Sequence, residues 1–219
     1  MCRSVSRIRV HPWSTIPMIE ISDIQKYLDF SSSLLEKLRA QEGLSGDIES
    51  AVEALLSAVL SNKPILTCGN GGSASDALHI SGELVGRFRL DRRALNVVCL
   101  NSNVTVMTAW ANDISFDSMF ARQVQAHGCR GGVLWGLSTS GNSTNVIKAF
   151  EVAKQLGMST IAMTGSSPGA LGELADCILS VPAEDAPSAQ NLHVVLYHFI
   201  CEEVERLATE EQLACGGAK

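Results

Sequence analysis

The sequence predicts an α/β fold with a doubly wound parallel sheet of five strands, and three observations predict it. Five short, nearly all-apolar runs occur at 65–68, 95–100, 133–137, 160–164 and 177–181, as strands covered on both faces require. Helical stretches at 73–89, 104–127, 144–156 and 169–175 separate them, and strand–helix alternation implies parallel strands joined by crossovers. Two of the strand-to-helix junctions are rich in glycine and hydroxyls. Such junctions sit at the carboxyl ends of strands, where a sheet of this kind binds its ligands.

Taken in chain order, the first 17 residues stand apart. They hold Arg3, Arg7 and Arg9 and no acid, and show neither the amphipathic helix of a transit peptide nor the apolar core of a secretory signal. Residues 1–17 are expected to be a tail or the product of an upstream start codon, with Met18 opening one domain over 18–219. From Ile19 to Asn62, Ile24, Tyr27, Leu28, Leu34, Leu35 and Leu38 recur at helical spacing. Gly43 to Gly46 interrupt it, and Ile48, Val52, Leu55, Leu56 and Val59 resume it. These two amphipathic helices have no sheet of their own, so their apolar stripes must pack on the main body or on another subunit. The strands and helices named above follow, and a last helix over 189–207 closes the chain.

Composition bounds the function. The chain has 219 residues, 46% hydrophobic and 18% charged, with a net charge of −6. That is globular composition, and its acidity argues against a broad nucleic-acid-binding surface. No apolar run approaches the roughly 18–20 residues that span a bilayer. Seven cysteines are scattered without a C-x-x-C pair, the pattern of reduced thiols in a cytoplasmic protein rather than of a disulfide framework or a cysteine zinc site.

The first junction reads Gly69-Asn70-Gly71-Gly72-Ser73-Ala74. Glycines let the backbone turn tightly against a ligand, and the N–H groups of the next helix face an anion. The string also fits G-x-G-x-x-A. The second strand, however, ends in Leu100-Asn101-Ser102, without the acid that would hold a nicotinamide ribose, and no Gly-Lys-Ser/Thr follows. A structural turn accounts for the same glycines. The second junction, Ser138-Thr139-Ser140-Gly141-Asn142-Ser143, offers hydroxyl and backbone donors to phosphate oxygens without Lys or Arg. Ser and Thr also cap helices, but six consecutive small polar residues exceed what a cap needs. Together the two junctions favour a phosphorylated polar ligand.

His79 and Glu83 stand i, i+4 on the helix after the first junction and share a face. Gln190 and His198 lie eight residues apart on the last helix. Either pair alone is compatible with a satisfied histidine and a solvated charge. Nearness to the glycine loop favours chemistry.

The run Asn70-Gly71-Gly72-Ser73, the stretch from Asp76 to Phe88, Ala111-Asn112-Asp113, the 138–143 loop and Gln190 with His198 together resemble the phosphoheptose isomerases of the sugar isomerase (SIS) superfamily. The similarity runs in order from about residue 20 to 207. It implies a flavodoxin-like SIS domain with two N-terminal helices and a C-terminal helix, a cytoplasmic homotetramer with active sites at subunit interfaces, and one zinc ion per site. The implied reaction converts sedoheptulose 7-phosphate to D-glycero-D-manno-heptose 7-phosphate, the first step toward ADP- or GDP-heptose and lipopolysaccharide or another surface glycan. Carried over by position, His79, Glu83, Gln190 and His198 match the family's zinc ligands, with Glu83 as base and His198 as acid. Asn70, Gly71, Gly72, Ser73, Glu83, Arg87, Asn112, Asp113, Ser138, Thr139, Ser140, Ser143 and Gln190 match substrate contacts. Eight helical residues rise about 12 Å, so Gln190 and His198 share one ion only with inward-leaning side chains, an irregular first turn or help from another subunit. Pro187 stands where some members carry an Asp, so either that Asp is dispensable, the reading favoured here, or the local loop differs. The alternatives are a non-catalytic SIS protein that binds sugar phosphate, such as the DnaA-initiator-associating kind, and an isomerase of another ketose phosphate. The full acid/base set argues against the first.

Overall fold

The computed structural model describes residues 21–214; the expectations for 1–17, Met18, Cys2 and Cys215 lie outside them. Helices α1 (Ile21–Arg39) and α2 (Leu44–Leu60) come first, then β1 (Ile65–Gly69), α3 (Gly72–Val85), β2 (Val97–Cys99), α4 (Val104–Asp113), α5 (Met119–His127), β3 (Val133–Leu137), α6 (Thr144–Gln155), β4 (Ser159–Thr164), α7 (Leu171–Leu174), β5 (Cys177–Ser180) and α8 (Ala186–Ala214). All strand pairings are parallel, in the order β2-β1-β3-β4-β5. This is the flavodoxin-like order, and its topological switch point lies between β1 and β3.

The sheet separates two apolar layers. Ile65, Val133, Trp135, Leu137, Ile161 and Met163 face α2, α3 and α8. Their strand neighbours Leu66, Cys68, Leu134 and Ala162 face α5 and α6. Gly136 interrupts the central strand because the Phe150 ring of α6 occupies the space a side chain would need. Among its described side chains, helix α1 buries only Leu34 and Leu38 well, leaving Ile24, Tyr27, Leu28, Phe30 and Leu35 exposed.

Several boundaries differ from the sequence expectation. Helix α3 stops at Val85, capped at Gly86, and the chain to β2 is irregular. The predicted helix 104–127 is broken after Asp113 by a 3-10 turn, Phe116–Ser118, whose start is capped by the Ser115 hydroxyl accepting from the Asp117 N–H at 3.1 Å. Helix α8 starts three residues early. Asp185 Oδ1 accepts from the Ser188 N–H at 2.9 Å, and Pro187 occupies the first turn, where its missing donor costs nothing. Gly43, at φ 81°, makes the α1–α2 break, while Gly46 lies inside α2.

Candidate active site

The switch point is where both polar junctions sit. After β1 the chain turns at Gly71 (φ 57°, ψ −123°), a conformation side-chain-bearing residues avoid, and α3 begins at once. Asn101 anchors the start of this loop. Its side-chain amide accepts from the Gly69 N–H at 3.1 Å and donates to the Gly69 carbonyl at 2.9 Å. Asn70 exchanges two amide hydrogen bonds, at 2.8 and 2.9 Å, with the buried Asn145 of α6. The first loop is thereby tied to the second.

After β3, Ser138 and Ser143 meet through their hydroxyls at 2.8 Å. Gly141 (φ 66°) packs so closely on the Pro168 backbone that no side chain fits. A cavity of about 250 Å³ opens between the loops, lined by Asn70, Gly71, Gly72, Ser73, Leu137, Ser138, Thr139, Ser143, Ala186 and Gln190. The first turns of α3 and α8 border it, as does Ser143, the N-cap of α6. Three helix N-termini, with hydroxyls and amides but no Lys or Arg, suit an anion of phosphate size. A larger groove, about 610 Å³ between α2 and α8, is floored by Ile48, Val52, Phe199 and Leu207 and contains none of the predicted site residues. Chemistry favours the smaller cavity.

Gly72, Asp76, His79 and Glu83 are spaced four, three and four apart and share the face of α3 that meets α8. Gly72 lies against the Gln190 amide, with no room for a Cβ between them. Two turns further on, His79 Nε2 lies 3.0 Å from Glu83 Oε1 and 3.4 Å from His198 Nε2. Ligand atoms of His79, Glu83 and His198 all fall within 4.8 Å of one another. The Tyr197 hydroxyl lies 2.9 Å from His79 Nδ1. Burial, and then the nearby Asp76 charge, push the Tyr197 phenol well above its ordinary range, so it keeps its proton. Burial also raises Asp76, opposed by His79 and by a hydrogen bond from Tyr197. The Tyr197 hydroxyl holds the His79 ring from behind at Nδ1, which leaves Nε2 toward Glu83 and His198.

The structure thus brings Asn70, Gly71, Gly72, Ser73, Ser138, Thr139, Ser143 and Gln190 around one cavity, and His79, Glu83 and His198 into one group. The regular α8 holds Gln190 about 12 Å along the axis from His198. Ser140 is exposed, its hydroxyl accepting from the Asn142 N–H at 3.2 Å. Arg87, Asn112 and Asp113 are exposed as well. Asn112 donates to Asp113 at 2.8 Å, and none of the three lines the cavity of its own chain.

The SIS domain family profile matches residues 26–165. The phosphoheptose isomerase of Helicobacter pylori strain ATCC 700392 / 26695 is 44% identical over 168 residues, 77% of this chain and 88% of the relative. That of Crocosphaera subtropica is 51% identical over 141 residues, 64% of this chain and 72% of the relative. The chain belongs to the phosphoheptose isomerase family of SIS-domain proteins. Solved phosphoheptose isomerases agree with the fold. The one from Neisseria gonorrhoeae superimposes with a TM-score of 0.79 at 34% identity, covering 84% of this chain and 98% of that one. The one from Francisella tularensis gives 0.81 at 31%, covering 86% and 100%.

The sequence offered no role for three residues that the structure sets against these groups: Asp76, Asn145 and Tyr197. Asp76 is legible in hindsight as the carboxylate one turn before His79. Asn145 and Tyr197 carry no such signal, because their partners lie 75 and 118 residues away.

Proposed function

We propose that the chain isomerises sedoheptulose 7-phosphate to D-glycero-D-manno-heptose 7-phosphate. The observation that carries this reading is the seam between α3 and α8. A phosphate-sized cavity lies at its first turn, and a carboxylate with two imidazoles lies about 10 Å further along. An open-chain sugar phosphate placed along the seam puts its phosphate among Ser138, Thr139, Ser143 and the helix N-termini, and its C1 and C2 beside Glu83.

Glu83 takes the proton from one of the two adjacent carbons and returns it to the other, passing through an enediol(ate). His198 acts as the acid, giving a proton to the sugar oxygen and assisting ring opening. Asn70, Gly71, Gly72 and Ser73 close the cavity over the phosphate end, so that register along the chain is fixed before the proton moves. His79, backed by Tyr197, orients Glu83. Two imidazole nitrogens and a carboxylate oxygen, one imidazole held from behind by a hydroxyl, form a donor set that suits zinc. His79, Glu83 and His198 would hold that ion; Gln190, about 12 Å along α8 from His198, serves this chain's site as a substrate contact, and would reach an ion only in the site of another subunit. Bound zinc supplies polarisation of the sugar oxygens.

A cytoplasmic homotetramer belongs to the same proposal. Arg87, Asn112 and Asp113 lie exposed and away from their own cavity, free to complete a neighbour's site. Exposed Leu28, Phe30 and Leu35 on α1 and Phe199 on α8 offer apolar contact area to another copy. No helix among the described residues is long and apolar enough to cross a membrane. The test is incubation of the purified protein with sedoheptulose 7-phosphate. An aldoheptose phosphate product is expected, and its absence in zinc-loaded protein overturns the reading.

A further inference from the structure

Behind the reactive group lies a buried ion pair to which the reaction gives no part. Arg92, in the irregular segment between α3 and β2, sets its Nε 3.1 Å from Glu205 Oε1 of α8, and both side chains are 1% exposed. The Nε–H is not aligned on the carboxylate, so the contact is ionic rather than a hydrogen bond. The hydrogen bonds of both groups go elsewhere. Arg92 Nη2 donates to the Glu83 carbonyl at 3.0 Å, and Nη1 donates to the carbonyls of Leu84 and Gly86 at 2.9 and 3.2 Å. These are last-turn carbonyls of α3, the negative end of the helix, with no partners further along it. Glu205 accepts from the backbone N–H groups of Phe88, Arg89 and Leu90 at 2.8, 2.7 and 3.0 Å. Burial alone would raise this carboxyl; the three N–H donors, with Arg92 beside it, hold it below its ordinary range.

Each end of this clamp touches the reactive group. The Arg92 fork grips the backbone of Glu83 itself. Phe88, pinned through its N–H, lays its ring 5.7 Å from that of His198. Glu205 follows His198 by seven residues, two turns along the same face of α8. We propose that Arg92 and Glu205 are positioning residues that set the spacing between Glu83 on α3 and His198 on α8. A planar fork binding several carbonyls is work for arginine and not for lysine. The inference rests on Glu83 and His198 being the reacting pair.

The test uses Arg92→Lys, which keeps the charge and loses the fork, and Glu205→Gln, which keeps the shape and loses the charge. Ile161→Val, a core substitution in β4 and so outside α3, α8 and the α3–β2 segment, serves as a generally destabilised control. Side-chain nitrogen–proton spectra of the full chain without metal, at fixed pH and well below the melting temperature, read the imidazoles directly. Both clamp variants are expected to shift the His79 and His198 ring signals and leave those of His127 and His193 in place, while the control moves none. Zinc affinity should fall about tenfold, as loss of an outer support commonly does. The kcat for sedoheptulose 7-phosphate should fall at least about tenfold, with KM changed less than about twofold. Unmoved ring signals with a lower melting temperature overturn the proposal in favour of a purely structural pair. So does failure of both variants to fold. If the wild-type chain shows no turnover, the isomerase reading fails, while the ring signals, which need neither substrate nor metal, still decide the positioning claim.

Discussion

The two ends of the α3–α8 seam are built from opposite materials. Around the cavity are neutral, short groups: glycines, serines, a threonine and two amides, with the charge of the helix ends behind them. Two turns away are the ionisable ones, His79, Glu83 and His198, packed within 4.8 Å. Neutral donors bind a phosphate without adding a titrating group to the grip, so the pH dependence of binding comes from the phosphate's own second ionisation near about 6. The reactive end needs groups that do change charge. Separating the two along one pair of helices lets each keep the environment its task requires.

Substitutions at the two ends should therefore split the kinetic constants. The largest effect is expected for Glu83→Gln, which keeps the shape and removes the base. Turnover should fall about 10²–10⁴-fold, the usual worth of general-base catalysis, while sugar phosphate still binds. Zinc content measured alongside separates loss of the base from loss of the ion, and near wild-type turnover in metal-loaded protein would remove Glu83 from the mechanism. At the other end, Ser138→Ala with Ser143→Ala deletes the paired hydroxyls at the mouth of α6. Hydrogen bonds to charged groups contribute about 1.5–3 kcal/mol, so KM should rise roughly tenfold to a hundredfold with kcat little changed. An unaltered KM with only a lower melting temperature would mean that these serines act as helix caps.

The smallest effect should come from Asp185, which caps α8 just before Gln190. Hydrogen bonds from Ser188 hold its carboxylate below the ordinary range. A lowered folded value means that the cap contributes above the unfolded pKa of about 3.9 and fades as pH falls through the folded one. Melting temperatures of wild type and Asp185→Ala should differ at pH 7 and converge below that window. A difference that persists in acid would show that the cap works without its charge. KM should change less than about threefold.

What could be read ahead of the structure follows the range of the interaction. Five apolar runs and two glycine–serine loops are local signals, and they placed the strands and the cavity at the switch point. The i, i+4 spacing put His79 and Glu83 on one face, and the structure adds His198 to them. The early start of α8 was also local: Asp185 and Pro187 spell a cap. The break after Asp113 was not, since Ile114 and Phe116 continue the apolar pattern of a helix. Contacts between distant segments left no trace. Tyr197 behind His79, Asn145 against Asn70 and Arg92 against Glu205 each join residues more than 70 positions apart. Arg87, Asn112 and Asp113 were legible as a family pattern, yet the folded chain does not bring them to its own cavity.

Asn101 carries one more consequence. Strand β2 pairs with β1 only as far as Thr67 opposite Cys99, so on that edge Gly69 has no neighbouring strand. The Asn101 amide stands in for one, taking both the N–H and the carbonyl of Gly69, while on the other side Gly69 is in register with Leu137 of β3. The glycine loop therefore departs from a residue paired on both flanks. In a segment this rich in glycine, fraying at the strand end would otherwise spread into the turn. Here the slack begins one residue later, and the loop beside the cavity inherits the stillness of the sheet: a hinge with its first leaf bolted down.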